Sequence, residues 1–234
     1  MNENYGLDRI LKDYDILLFD TNVIFGPFDE LSLYGQFDHN SMCDKRDSLR
    51  LNIDYTRYLQ KGVQEGKPFF VTSLIHRELQ RHGNNPFKKI KKSKRKQFSP
   101  SLSMYDTRSS ERDRLAAYFS NYNKVVSLSE TETESYKKVR GDLERGLDSN
   151  LSEADRDFLF TGIALALNRR KVALLSNDIP ILDSYEGIIE RNYGGLKENV
   201  FWFFKGCRGK DYFLPGYFRG RKDKEVHSSR VVIH

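Results

Sequence analysis

The chain has 234 residues, 38% of them hydrophobic and 31% charged, with a formal net charge of +6. That length supplies one large domain or one and a half, with enough apolar material for a core. No apolar run approaches the ~18 residues that a membrane helix needs, and Met1-Asn2-Glu3-Asn4 is not a basic segment leading into an apolar one, so neither a membrane span nor a secretory leader is expected. Cys43 and Cys207 lack metal-ligand spacing and read as free thiols of a reducing compartment, which points to the cytoplasm. The mild basicity fits a nucleic-acid partner without requiring one.

Residues 5–14 form a short lead-in. The apolar run Ile16-Leu17-Leu18-Phe19 then reads as a strand buried on both faces, and it drives straight into Asp20, Thr21 and Asn22. Residues 25–43, with Gly26, Pro27 and Gly35, read as a long irregular connection. Helical spacing over 44–64 places Leu49, Ile53, Thr56 and Val63 near one face, and Gly66 stops it. Strand two follows at 68–71. Thr72 or Ser73 caps a helix carrying Leu74, Ile75, Glu78, Leu79 and His82, and Gly83 ends it.

Residues 84–106 read as an exposed, flexible insertion containing Lys88, Lys89, Lys91, Lys92, Lys94, Arg95 and Lys96. A helix is expected over 110–120 with Leu115, Tyr118 and Phe119 inward, then a third strand at 124–126. A charged helix over 129–145 has Tyr136, Val139 and Leu143 as its sparse apolar side. Ser152 caps a helix over 153–168, strand four spans 171–175, and Ser176-Asn177-Asp178 follows at once. A short helix lies within 181–189 and a fifth strand covers 199–204. Residues 205–234 form a basic, partly flexible tail with no structure assigned beyond Phe218. Strands alternating with helices define an α/β domain with a mainly parallel sheet over 1–204, carrying insertions near 25–43 and 84–106.

Four acids stand out. Parallel strands present their C-terminal ends on one edge, so Asp20 and Asp178 can face one crevice. Glu78 shares its stripe with Leu74, Ile75, Leu79 and His82, a stripe that otherwise points at the sheet. At 100° per residue, Asp155 falls with Leu159, Gly162, Ile163 and Ala166, whereas Asp157 lies roughly opposite and is expected to face water. Carboxylates without His or Cys partners suit a hard divalent ion, Mg²⁺ or Mn²⁺, rather than zinc. Such an ion offsets phosphodiester charge and helps to deprotonate water, and the number of ions bound is left open.

Residues 17–24 (Leu-Leu-Phe-Asp-Thr-Asn-Val-Ile), 73–79 with Glu78, 151–155 (Leu-Ser-Glu-Ala-Asp) with 164–167, and 174–178 (Leu-Leu-Ser-Asn-Asp) together resemble the PIN-domain family of metal-dependent nucleases, in the same order along the chain. The resemblance covers about residues 14–204. It implies a three-layer α/β/α fold with a five-stranded sheet in the order 3-2-1-4-5. It also implies a metal-dependent endoribonuclease whose catalytic set is Asp20, Glu78, Asp155 and Asp178, with Asp20, Asp155 and Asp178 as Mg²⁺ or Mn²⁺ ligands and Glu78 placing the water. Thr21 and Asn22 would orient Asp20 or the metal's waters, and Ser176 would stand near the metal. The insertions depart from a minimal domain of that family.

Each piece also has an ordinary reading. Asp20-Thr21-Asn22 and Ser176-Asn177-Asp178 are turn-forming sequences, Glu78 a surface glutamate, and Asp155 a helix N-terminal charge. The 88–96 lysine run is either a solvated segment or a clamp for RNA phosphates. His82 suits a helix C-terminus. The rival functions are a non-catalytic RNA-binding or scaffold protein that keeps the fold, and a toxin-type ribonuclease. Self-association and a protein partner are both compatible with the sequence.

Overall fold

The computed structural model describes residues 11, 14–25, 41–81, 99–176, 178–184, 190–193, 196, 202–205 and 217–220. β1 (Ile16–Phe19) leads into the one-turn helix α1 (Thr21–Phe25), then α2 (Ser41–Gln64), β2 (Phe69–Phe70), α3 (Ser73–Arg81) and α4 (Ser99–Asn121). α5 (Glu130–Leu143), α6 (Glu153–Leu167), β3 (Val172–Leu175), α7 (Ile179–Ser184), α8 (Glu190–Tyr193), β4 (Trp202–Lys205) and β5 (Tyr217–Gly220) follow.

The sheet is parallel, in the order β2-β1-β3, with Leu17 opposite Phe69 and Phe19 opposite Leu175. In β1 and β3 consecutive residues are buried, from Leu17 to Phe19 and from Val172 to Leu175, so both faces of the sheet are covered. This is the α/β class expected, with a parallel sheet and helices on it.

Three helices return the chain to the N-terminal edge of the sheet by the same device. α2 ends with Gly66 at φ 79°, with the Gly66 and Lys67 amides donating to the Val63 and Gly62 carbonyls. α4 ends likewise on Asn123 (φ 55°) and α6 on Arg169 (φ 63°). A left-handed residue with these paired bonds satisfies the last carbonyls and turns the chain sharply. After each such ending the chain runs directly into β2, the Val125 bridge or β3.

Close packing seats two of these helices on their strands. A Cβ on Gly162 would lie 2.5 Å from Leu174 Cδ2, so α6 approaches β3 this closely only because residue 162 has no side chain. A Cβ on Gly62 would overlap the Phe69 ring. The Phe69 ring is wholly buried and packs edge-on against Phe19, with centroids 5.3 Å apart.

Several boundaries differ from expectation. The segment 124–126 is no full strand: it contributes one parallel bridge, Val125 to Val71. That bridge has the Val71 amide donating to the Lys124 carbonyl at 3.0 Å and the Val126 amide to the Val71 carbonyl at 2.9 Å. β4 lies near β3 but forms its ladder, antiparallel, with β5, so part of the tail is a strand. Among the described residues the parallel sheet therefore has three strands and a bridge rather than five strands.

α4 also begins at Ser99, eleven residues before the expected start at 110, which takes 99–106 out of the expected insertion. Before Leu115 its buried positions include Arg108, Glu111 and Arg112, which hides the helical stripe there. Gln60 Nε2 donates to the Glu111 carbonyl (2.8 Å) and to Glu111 Oε2 (2.9 Å). Arg57 Nε reaches Glu111 Oε1 at 3.1 Å, and Arg112 Nη2 donates to Asn52 Oδ1 at 3.3 Å. Burial pushes the Glu111 carboxyl up, but the Gln60 and Arg57 hydrogen bonds, with the Arg114 and Arg57 charges, hold it below the usual range.

Gly62→Ala tests the close approach of α2 to β2. Alanine favours a helix interior over glycine by about 1 kcal/mol, yet overpacking a fixed aromatic ring loses about 1–3 kcal/mol. The expected outcome is a lower denaturation midpoint with an unchanged slope. A midpoint at or above the parent's refutes the close approach.

Candidate functional site

β1 and β3 are adjacent and parallel, so the residues that follow them leave the sheet on the same edge. The Asp20 amide donates to the Leu175 carbonyl at 2.9 Å, one step past the last ladder pair. Asp20 then starts α1: its carbonyl accepts from the Val23 and Ile24 amides at 3.1 and 3.2 Å. Its side chain is left at the strand end, only 2% exposed.

The partners of the acids come from the ends of neighbouring elements. Ser176 Oγ, itself buried, donates to Asp20 Oδ2 at 2.7 Å and accepts from the Asp178 amide at 3.1 Å. Thr21 Oγ1 donates to Glu78 Oε2 at 2.6 Å. Asn22 Nδ2 lies 3.4 Å from Asp178 Oδ2. Asp155 Oδ2 accepts from the Ser152 amide at 2.8 Å, and the Asp155 amide donates to Ser152 Oγ at 3.2 Å. α3 is itself started by Thr72, whose Oγ1 accepts from the Ile75 amide at 3.3 Å, and it buries Ile75 and Leu79.

Electrostatics joins three of the acids. Burial pushes the Asp20 carboxyl up to about 7; the Asp155 and Asp178 charges add to this, and the Ser176 hydrogen bond and the Thr21 backbone amide oppose it. Asp178 is also raised, first by burial and then by the Asp155 charge. Asp155 is thus the charge that both strand-end acids feel. Glu78 is tied to the same edge through Thr21.

These contacts revise two expectations. Thr21 and Asn22 do not hold Asp20 with their side chains. Successive helical residues point about 100° apart, so Thr21 reaches Glu78 and Asn22 reaches Asp178, and the hydroxyl on Asp20 is that of Ser176. Asp157 does not simply face water. It accepts from the Tyr136 hydroxyl of α5 at 2.9 Å, and burial together with the Asp157 charge raises the Tyr136 phenol. The Ser152–Asp155 box is a local feature legible in Ser-Glu-Ala-Asp, with aspartate standing where glutamate or glutamine is usual.

His82, Asn177 and the whole run Lys88, Lys89, Lys91, Lys92, Lys94, Arg95 and Lys96 lie outside the described residues.

Oxygen donors of this type suit a hard divalent cation, and a cation among Asp20, Asp155 and Asp178 would remove their mutual repulsion. The donor type alone suits such an ion. The cage is not formed, however: among the described residues no group of three or more His, Cys, Asp or Glu side chains is placed to hold a metal ion. No helix among the described residues is long and apolar enough to cross a membrane. No protein-family model, curated protein or solved structure matches the chain.

The raised Asp20 pKa has a signed consequence. The folded chain holds a proton between pH ~4 and ~7 that the unfolded chain releases, so stability falls as pH rises through that window and levels off above it. In chelator-containing buffer the loss is on the order of 4 kcal/mol. Asp20→Asn should lack it and be the more stable protein at pH 8. Urea midpoints from pH 4 to 8 measure this, and parallel profiles for parent and variant contradict the assignment to Asp20.

Proposed function

We propose that the chain is a PIN-type, metal-dependent endoribonuclease that hydrolyses RNA phosphodiester bonds at the Asp20 edge of the sheet. The observation that carries the reading is a nearly fully buried carboxylate, Asp20, at the end of the central strand, joined through the Ser176 hydroxyl to the start of the segment that carries Asp178. A buried carboxylate among like charges is destabilising unless a cation or a proton compensates it. The order of the motifs along the chain adds the PIN resemblance, and with it RNA as substrate and the five-stranded 3-2-1-4-5 sheet.

In this reading Asp20, Asp155 and Asp178 hold Mg²⁺ or Mn²⁺. When bound, the ion offsets phosphate charge and lowers the pKa of its water. The chain's own groups do the rest. Ser176 keeps Asp20 turned by its bond to Oδ2, and Asn22 faces the Asp178 carboxylate. Thr21 holds Glu78 by one oxygen, which leaves the carboxylate able to orient a water and accept its proton. The lysines of 88–96 supply phosphate contacts of the salt-dependent, sequence-independent kind.

One observation favours a second reading, a non-catalytic RNA-binding or scaffold protein of the same fold: the acids form no finished cation cage among the described residues. The two readings separate in one assay. The full chain is incubated with Mn²⁺ or Mg²⁺ and a panel of single-stranded RNA, structured RNA and DNA. Cleavage of RNA that chelator abolishes is expected, and Asp20→Asn should lower it by about 100-fold or more, the scale of a lost catalytic group, with unchanged circular dichroism. Metal-dependent cleavage that survives in Asp20→Asn refutes the site. Tight RNA binding with no cleavage anywhere in the panel selects the second reading.

A further inference from the structure

Each of the three left-handed helix endings is followed at once by cations. Lys67 follows Gly66, Lys124 follows Asn123, and Arg170 and Lys171 follow Arg169, itself a cation. The strand order places them in one row. The Val125 bridge lies beside the end of β2, β2 beside β1, and β1 beside β3, so the row crosses three interstrand steps of ~4.8 Å each. Three of these cations are engaged. Lys67 meets Glu65 at 3.8 Å and lies over the Tyr58 ring, Lys124 donates to the Gly66 carbonyl, and Arg170 faces the buried Glu132 at 3.6 Å. Arg169 and Lys171 are exposed, and among the described residues neither side chain has a hydrogen bond or an ion pair. Asp15, opposite Lys171 in the β1–β3 register, is occupied by the Lys171 amide, which donates to its Oδ2 at 3.1 Å.

Arg169 is also an unfavourable residue for its position. A left-handed helix ending takes glycine by preference and asparagine next, as at 66 and 123. Arginine at φ 63° carries a backbone cost that glycine avoids. Its side chain is exposed, so burial in the core does not offset that cost. Strain held without a packing gain points to use of the side chain itself. At the other end of the row stands Tyr122, 43% exposed and two residues before Lys124. Tyr118 meets its ring edge-on, with centroids 5.8 Å apart, and steadies it.

We propose that this N-terminal edge of the sheet binds single-stranded RNA: Arg169 and Lys171 contact backbone phosphates, and Tyr122 stacks on an unpaired base. An unpaired strand presents charge and aromatic faces together, whereas an acidic peptide presents charge alone and a duplex hides its base faces. The two cations give up no partner when they bind, so the phosphates meet groups that are already free. The choice of RNA rests on the proposed reading of the chain as an RNA-acting protein, but the surface needs no cation at Asp20 and lies on the opposite edge from it.

The test uses the full chain and a labelled single-stranded oligouridylate, read by fluorescence anisotropy in EDTA over a range of salt, so that no metal-dependent cleavage contributes. Arg169→Gly should weaken binding and lower the slope of log K against log salt by about 0.7, the share of one phosphate contact on a single strand. The same variant should have a higher urea midpoint, because glycine suits the left-handed position. Tyr122→Ala should weaken binding about fivefold or more, the low end for one stacked base. Arg140→Gln removes an equally exposed cation that Glu144 already holds at 3.0 and 3.2 Å, and should bind like the parent, as should Asp20→Asn. Unchanged affinity and salt slope in the Arg169→Gly, Lys171→Gln double variant overturns the proposal and leaves the Asp20 edge standing. A parent that binds no oligouridylate at low salt overturns it as well. Equal weakening in Arg140→Gln overturns it because overall charge would then be the cause. Polyglutamate held as tightly as the oligouridylate overturns the assignment to a nucleic acid.

Discussion

The structure depends on a carboxylate that the chain is obliged to bury. β1 is the central strand, its residues Leu17 to Phe19 are inaccessible, and the next residue is Asp20 at 2% exposure. One hydroxyl and one backbone amide offset that burial only in part, and two neighbouring acids oppose ionisation further. An apolar side chain would fill a strand end at lower free energy, since buried charges are retained against the hydrophobic alternative only with excellent compensation. The arrangement makes physical sense when a positive charge completes it.

The way the helices end keeps that edge available. Gly66, Asn123 and Arg169 all turn the chain at the N-terminal edge of the sheet. Lys124, lowered by desolvation, donates from that edge to the Gly66 carbonyl at 3.2 Å, and its Nζ lies 4.7 Å from the centre of the Phe70 ring. Lys124 there is engaged by a helix end and an aromatic face. The acids gather at the other edge, where the open side of a parallel sheet places its ligands.

Much of this was legible in the residues, for identifiable reasons. Buried parallel strands are continuous apolar runs, so 16–19 and 172–175 stood out, and the acids after them had to share an edge once the strands were parallel. Asp155 was separable from Asp157 by helical phase alone, although the phase could not show that Tyr136 would take up Asp157. α4 was half hidden because Arg108, Glu111 and Arg112 occupy its buried face, and a stripe of charged residues reads as solvent-facing. The Val125 strand was overestimated because pairing is a tertiary property: the local run Val125-Val126 cannot reveal that one bridge is all that forms. The partners of Thr21 and Asn22 were out of reach for the same reason, since they lie 57 and 156 positions away.

The site is finally a matter of register. The Asp20–Ser176 bond falls one step beyond the pair Phe19–Leu175, so it continues the β1–β3 ladder in side-chain form. A one-residue slip of β3 would reverse the faces of Val172 to Leu175 and carry Ser176 and Asp178 away from Asp20 together. Gly162 opposes that slip from the helix layer, because Leu174 fits against α6 only where a Cβ is missing. The close contact of α6 with β3 and the box at its N-terminus therefore act on the same geometry from two ends: one fixes where the helix lies on the strand, the other where Asp155 points from the helix. A loosened α6 would disturb all three coupled acids at once, which makes this helix, more than any loop, the element on which the arrangement of charges rests.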